Sequence, residues 1–312
     1  MLKQLPKILL LLFLIVLTGC ASDASAQEPI SERPIRVVAT VGMVADVVRN
    51  IGGERVEVIA LMTAGVDPHL YKATEGDVQR LQEADIIFYN GLHLEARMAD
   101  VLEQMNEIGR PTVAVAEAIP EEQLISPPAF AGFNDPHVWM DAKMWRYTID
   151  PIRDALMELD PTHADSYRAN AESYLAELDA VEEYAQAQFA TLSDDERRLV
   201  TAHDAFNYFA IGYNFEVFAP QGISTETEAG VEDIRATIDY IVTHDVPAIF
   251  VESTISPDIV EAVVEGTEAR GQAITIGGQL YTDAMGADGT PEGTYLGMVR
   301  HNVDTIVAAL KK

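Results

Sequence analysis

Three histidines in this chain stand where side chains commonly meet ligands. His69 and His137 each follow an Asp-Pro pair, in Asp67-Pro68-His69 and Asp135-Pro136-His137. His203 follows the short apolar run Leu199-Val200, in Thr201-Ala202-His203-Asp204. Proline fixes its own φ and biases the residue before it toward extended backbone, so an Asp-Pro pair stiffens the chain just ahead of the imidazole. An imidazole so placed can ligate a metal, act as a general base, or sit hydrogen-bonded in a core. Three imidazoles and one carboxylate make a donor set for a first-row transition ion: nitrogen suits Zn²⁺, and an oxygen ligand accommodates Mn²⁺ or Fe²⁺. The carboxylates in comparable settings are Asp283 in Leu280-Tyr281-Thr282-Asp283, Glu252 at the end of an apolar run, and Glu226 or Glu228. Spacing alone does not choose among them. Four of the seven histidines are placed differently. His163 falls in the first turn of a long helix, His244 just before a strand and His301 inside the terminal helix, all structural or exposed settings. His93 sits near a strand end and stays a candidate.

Ligands this far apart must be assembled by the fold, unlike those of a local zinc finger. Residues 35–40, 56–61, 85–90 and 112–115 read as strands. Between them lie helical stretches at 44–51, from the capping pair Thr74 and Asp77 to Ala84, and at 95–107; Gly52-Gly53 stops the first. Such alternation argues for an α/β fold, with a largely parallel sheet flanked by helices. Residues 162–191 contain neither Gly nor Pro, and Tyr167, Ala171, Tyr174, Leu178 and Val181 recur at helical spacing. A helix of about 28 residues extends roughly 42 Å, enough to run the length of a two-lobed molecule. The second half repeats the pattern of the first: 198–202 is a strand with a helix after it, and 246–252 matches 84–90 in pattern. Residues 274–276 read as a last strand, 277–293 as a Gly-rich loop and 295–310 as a closing helix. The expected organisation is two similar α/β lobes, residues 35–160 and 193–312, joined by a helix over 161–192.

The N-terminus carries an address. Lys3 and Lys7 precede an apolar run over 8–17, too short to span a bilayer and suited to a secretory signal peptide. It ends in Leu17-Thr18-Gly19-Cys20, which resembles the bacterial lipoprotein signal. Residues 1–19 are then a removed signal peptide, Cys20 the lipidated new N-terminus, and 20–34 a flexible tether holding the protein to the membrane on its extracytoplasmic side. Cys20 is the only cysteine, so no disulfide framework supports the fold. With 50 Asp+Glu against 21 Lys+Arg, the net charge of −29 excludes nucleic acid as a partner, because phosphate binding needs a basic face.

Five motifs carry a resemblance. Asp67-Pro68-His69, Asn134-Asp135-Pro136-His137-Val138-Trp139-Met140-Asp141, Thr201-Ala202-His203-Asp204-Ala205-Phe206, Gly222-Ile223-Ser224-Thr225-Glu226 and Leu280-Tyr281-Thr282-Asp283 occur in this order over nearly the whole mature chain. Together they resemble the metal-binding lipoproteins of manganese/zinc/iron ABC transporters. The resemblance implies two α/β lobes joined by one long helix, with the metal in the cleft between them. It implies His69 and His137 as ligands from the first lobe and His203 and Asp283 from the second. It also implies a membrane permease as partner, a monomeric carrier of Mn²⁺ or Zn²⁺ (Fe²⁺ third), and no catalysis. Some members place Glu where this chain has His203, and dedicated zinc members carry a His- and Asp-rich loop where residues 120–136 here hold no His. That departure weighs against a purely zinc role. The competing class is a secreted zinc-dependent hydrolase, opposed by the lack of a His-Glu-x-x-His pair and by four protein ligands that leave no place for an activated water. A surface adhesin role is a third class, on which these residues are silent.

Overall fold

The computed structural model describes residues 29–312 apart from Ala131, so the expected signal peptide and Cys20 lie outside the described residues. The first lobe grows from β1 (Ile35–Val41), buried at nearly every position, as a central parallel strand covered on both faces must be. α1 (Gly42–Gly52) follows directly, and Gly53, at φ 54°, returns its N–H to the Arg49 carbonyl and turns the chain toward β2 (Val56–Met62). α2 (Glu75–Glu83) opens with the capping box expected from Thr74 and Asp77. β3 (Ile86–Tyr89), α3 (Ala99–Glu107) and β4 (Thr112–Ala114) complete a four-stranded parallel sheet in the order β2-β1-β3-β4. The expected helix over 95–107 opens as a 3₁₀ turn at Ala96–Met98 and becomes α-helical only from Ala99.

Beyond the irregular segment after β4 come α4 (Ala142–Trp145), α5 (Ile149–Leu159) and the 26-residue α6 (Ala164–Phe189). α6 packs on α1 and α5 in the first lobe. There Asn170 donates to the Ile51 carbonyl (2.9 Å) and Tyr174 to Asp46 (2.9 Å). Further along, Glu182 accepts from Tyr213 (2.5 Å) and Tyr184 donates to Asp304, both second-lobe residues. One helix therefore grips both lobes.

The second lobe has two parallel ladders. β5 (Arg198–Val200) leads through α7 (Asn207–Tyr213) to its partner β6 (Glu216–Phe218). α8 (Val231–His244), β7 (Ala248–Glu252), α9 (Asp258–Glu268) and β8 (Thr275–Leu280) follow, with β7 and β8 paired, and α10 (Tyr295–Leu310) packs on β8 and α6. β8 corrects the sequence reading: the strand expected at 274–276 continues through Gly277 and Gly278 to Leu280. Ile276 pairs with Ile249 and Gln279 with Val251, so two glycines oppose the single residue Phe250 in a bulge. Gly278 takes φ 134°, and a Cβ on Gly277 would lie 2.6 Å from the Phe250 ring and 2.8 Å from Ala309. These glycines serve a bulged strand under a helix, not a loop. β5 ends at Val200, two residues earlier than expected. The sequence reading expects no element at α5, β6, α8 or α9.

The tether also differs from expectation at its end. Arg33 holds Asp85 through both terminal guanidinium nitrogens (2.6 and 2.9 Å), and Arg55 donates to the Ile30 carbonyl (2.8 Å), so the last residues read as tether are fixed to the first lobe. Among the described residues no helix is long and apolar enough to cross a membrane.

Candidate metal centre

Each ligand candidate leaves the carboxyl end of a strand or a stiffened loop, the edge at which α/β sheets bind ligands. His69 lies in the loop after β2, where Asp67 accepts the His69 main-chain N–H (2.9 Å) and the Thr225 hydroxyl of the opposite lobe (2.6 Å). Asp135 does more for His137: one oxygen accepts both the main-chain N–H (2.9 Å) and ring Nδ1 (2.8 Å). Its other oxygen accepts from Asn207 (3.0 Å), across the lobe boundary. His203 follows β5 and turns Nδ1 to Glu252. Asp283 follows β8, and the Trp139 indole donates to the neighbouring Thr282 carbonyl (2.8 Å). A carboxylate facing Nδ1 holds a proton there, so Nε2 of His137 and His203 points inward and is the nitrogen that gives up its proton to an entering ion.

The inward atoms converge. His69 Nε2 lies 3.3 Å from His137 Nε2. Asp283 Oδ1 is 3.3 Å from His137 Nε2, and Asp283 Oδ2 is 3.3 Å from His203 Nε2 and 3.7 Å from His69 Nε2. All four residues offer a ligand atom within 4.8 Å of every other. Ligands on a tetrahedral ion at bonds of about 2.0–2.1 Å are separated by roughly 3.4 Å, so these edges fit a first-row ion. None of the four is more than 2% exposed. His203 Nε2 and both Asp283 oxygens have no hydrogen-bond partner among the described residues. Leaving a buried polar atom unpaired costs about 1–3 kcal/mol, and a cation at the centre satisfies all three at once.

The local field suits a cation. Burial drives the His69 imidazole down to about 3, against a partial pull upward from Asp283, so this ring is neutral at physiological pH. Burial also opposes charge on His137, but Asp135 and Asp283 outweigh it and lift that ring to about 9. His203 is raised for the same reason by Glu252 and Asp283. Burial pushes the Asp283 carboxyl up, yet His203 and His137 overcome it and hold the group well below the usual carboxylate range.

The other candidates fall elsewhere. Glu252 is buried one step behind His203 and does not face the centre. Glu226 is exposed and paired with Arg97 (2.8 Å) across the lobes, and Glu228 is exposed. His93 lies at the surface with its ring stacked on Phe133 at 3.7 Å. His163 is half-buried, hydrogen-bonded to Asp160 (2.8 Å) in a 3₁₀ turn ahead of α6. His244 ends α8 against Tyr240, and His301 meets the Gln279 carbonyl (2.9 Å). The sequence reading gave Asp67 and Asp135 no role beyond preceding proline. The signal lay in the repeated Asp-x-His spacing, which lets a carboxylate fold back on the N–H two residues ahead.

A family model described as zinc-uptake complex component A, periplasmic, matches residues 37–309. The manganese-binding lipoprotein MntA of Bacillus subtilis (strain 168) is 45% identical over 296 residues, which cover 95% of this chain and 95% of MntA. The zinc-binding protein TroA of Treponema pallidum is 44% identical over 297 residues, 95% of this chain and 96% of TroA. A solved structure of the periplasmic TroA superposes with a TM-score of 0.87 at 45% identity, over 89% of this chain and 100% of that one.

Proposed function

This chain belongs to the zinc-uptake component A family of metal-binding proteins of ABC transporters, and we propose that it captures its metal at His69, His137, His203 and Asp283. It is a solute-binding protein and not an enzyme: it takes up a divalent transition metal outside the cytoplasm for delivery to a membrane permease. The observation that carries the ligand assignment is the convergence of four buried side chains with three unpaired polar atoms facing one point. Capture replaces the hydration shell of the ion by Nε2 of three neutral imidazoles and the ionised Asp283, and any proton on those groups leaves as the ion enters. Apart from that loss of protons, nothing in this sequence of events breaks a covalent bond.

The cargo we favour is Mn²⁺, then Zn²⁺, with Fe²⁺ third. Both Asp283 oxygens line the centre, Oδ1 beside His137 and Oδ2 beside His203 and His69. A carboxylate ligating through both oxygens supplies five donor atoms with the imidazoles, more than tetrahedral Zn²⁺ needs and closer to the higher coordination of Mn²⁺. Zinc still binds nitrogen donors more tightly by the Irving–Williams order, so metal availability contributes to the choice. We further assign residues 1–19 as a signal peptide and Cys20 as the lipid anchor of a monomeric carrier, in keeping with the lipoprotein name of MntA.

The test is metal analysis of protein purified without chelator, paired with melting curves in Mn²⁺, Zn²⁺ and Fe²⁺. A ligand that binds only the folded state adds RT ln(1 + [L]/Kd) to stability, so cargo ions raise the melting temperature. Protein that carries no transition metal and melts identically with all three ions would contradict the assignment.

A further inference from the structure

Glu252 belongs to no ligand set, yet its carboxylate is the most heavily engaged group beside the centre. One oxygen accepts the main-chain N–H groups of Ala202 (2.7 Å) and His203 (2.8 Å). The other accepts His203 Nδ1 and the Thr282 hydroxyl (2.9 Å). Glu252 ends β7, between the strand that delivers His203 and the strand that delivers Asp283, and it is 3% exposed. A single side chain therefore fixes both second-lobe ligands: the backbone and ring of His203, and the residue next to Asp283. In the first lobe no residue spans both ligands in this way. Asp135 holds the backbone and ring of His137 alone, and Asp67 holds only the His69 main chain.

From this geometry we infer that Glu252 is a positioning residue whose work is to set the tautomer of His203. The inference rests on His203 being a ligand. With a carboxylate against Nδ1, a proton stays on that nitrogen, and Nε2 is the one that sheds any proton and presents a lone pair to the ion. The substitution Glu252→Gln preserves shape and inverts the instruction. Two main-chain N–H donors hold the amide oxygen where the first carboxylate oxygen was. The amide NH₂ is then left facing Nδ1, and a donor there requires Nδ1 as acceptor. The proton moves to Nε2, aimed at the ion.

The experiment compares wild type, E252Q and His203→Ala, each full-length, by competition titration with Zn²⁺ and with Mn²⁺. Long-range ¹H–¹⁵N spectra of metal-free, ¹⁵N-histidine-labelled wild type and E252Q report the state of each ring nitrogen. E252Q is expected to lose about 10–100-fold in affinity for both ions, the usual effect of removing a residue that orients a metal ligand. Its His203 Nδ1 resonance is expected to move to the position of an unprotonated nitrogen, a change that a purely structural role does not produce. E252Q with wild-type affinity, or with Nδ1 still protonated, overturns the inference. If E252Q melts early, spectra of the folded protein at low temperature still decide, because they read the tautomer and not stability. His203→Ala separates the two levels. Wild-type affinity in that variant removes His203 from the ligand set altogether. Lost affinity there, with full affinity in E252Q, removes only the role given to Glu252.

Discussion

Protons and metal ions compete for the same imidazole nitrogens, and the three rings enter that competition unequally. His69, pushed down to about 3, stays a neutral imidazole at any pH where the protein works and has a lone pair ready on one ring nitrogen. His137, lifted to about 9 by its carboxylate neighbours, and His203, raised likewise, hold protons in the metal-free form at neutral pH. A proton held more firmly must be displaced for the ion to bind, so metal affinity falls as pH drops through the range in which these two rings take up protons, which for His137 lies at about 9. Each proton displaced contributes about a tenfold loss per pH unit in that window. Competition against a chelator of known pH dependence, from pH 6 to 9.5, reads the slope directly, and a flat profile would rule out this ligand chemistry. The residue types of the site were legible from the start, because Asp-Pro-His twice and a strand-end histidine once are unusual placements. The fourth ligand was not. Asp283 lies in a stretch that reads as a Gly-rich loop and Glu252 at the end of an apolar run, and only the family resemblance separated the carboxylate that faces the centre from the one that faces the back of His203.

The elements that deliver these residues depend on close approaches that a sequence pattern conveys poorly. β1 and β3 announced themselves as mostly apolar runs between helical stretches, as central parallel strands covered on both faces do, whereas the edge strand β2 alternates at its start. β8 did not, because Gly277 and Gly278 read as loop punctuation. Their purpose is visible only with α10 in place: the ring of Phe250 and Ala309 occupy the space where a Gly277 side chain would stand. Gly277→Ala is therefore expected to force β7, β8 and α10 apart and to destabilise the fold by about 1–3 kcal/mol, as overpacking of a tight contact does. Urea denaturation measures this, and a midpoint unchanged from wild type would show that the contact relaxes freely. Because β8 ends beside Asp283, the same variant is expected to lose some metal affinity even under conditions where it stays folded.

At the scale of the whole molecule, the two lobes share one interior. The larger apolar core runs without a break from Val37 and Phe88 in the first lobe, through Tyr174 and Leu178 of α6, to Phe206, Phe250 and Met298 in the second. Hydrogen bonds continue the join on the cleft side: Trp139 reaches the Thr282 carbonyl (2.8 Å), Tyr295 reaches the Trp139 carbonyl (2.9 Å), and Tyr208 donates to the Asp135 carbonyl (2.9 Å). A binding protein whose lobes swing apart on flexible strands needs a hinge of a few residues that absorbs the change in backbone angles. Here the connection is α6, a continuous 26-residue helix gripped by both lobes, and opening it widely would expose packed apolar surface. Entry and release of the ion are therefore expected to proceed by small, local rearrangement of the cleft loops, such as the Asp67–Thr225 and Arg97–Glu226 contacts that cross it. Small-angle scattering of metal-free and metal-loaded protein checks this, with superimposable profiles as the expected result. A clear increase in radius of gyration on chelation would mean that the lobes part as rigid bodies, and that α6 bends or slides where its packing says it should not.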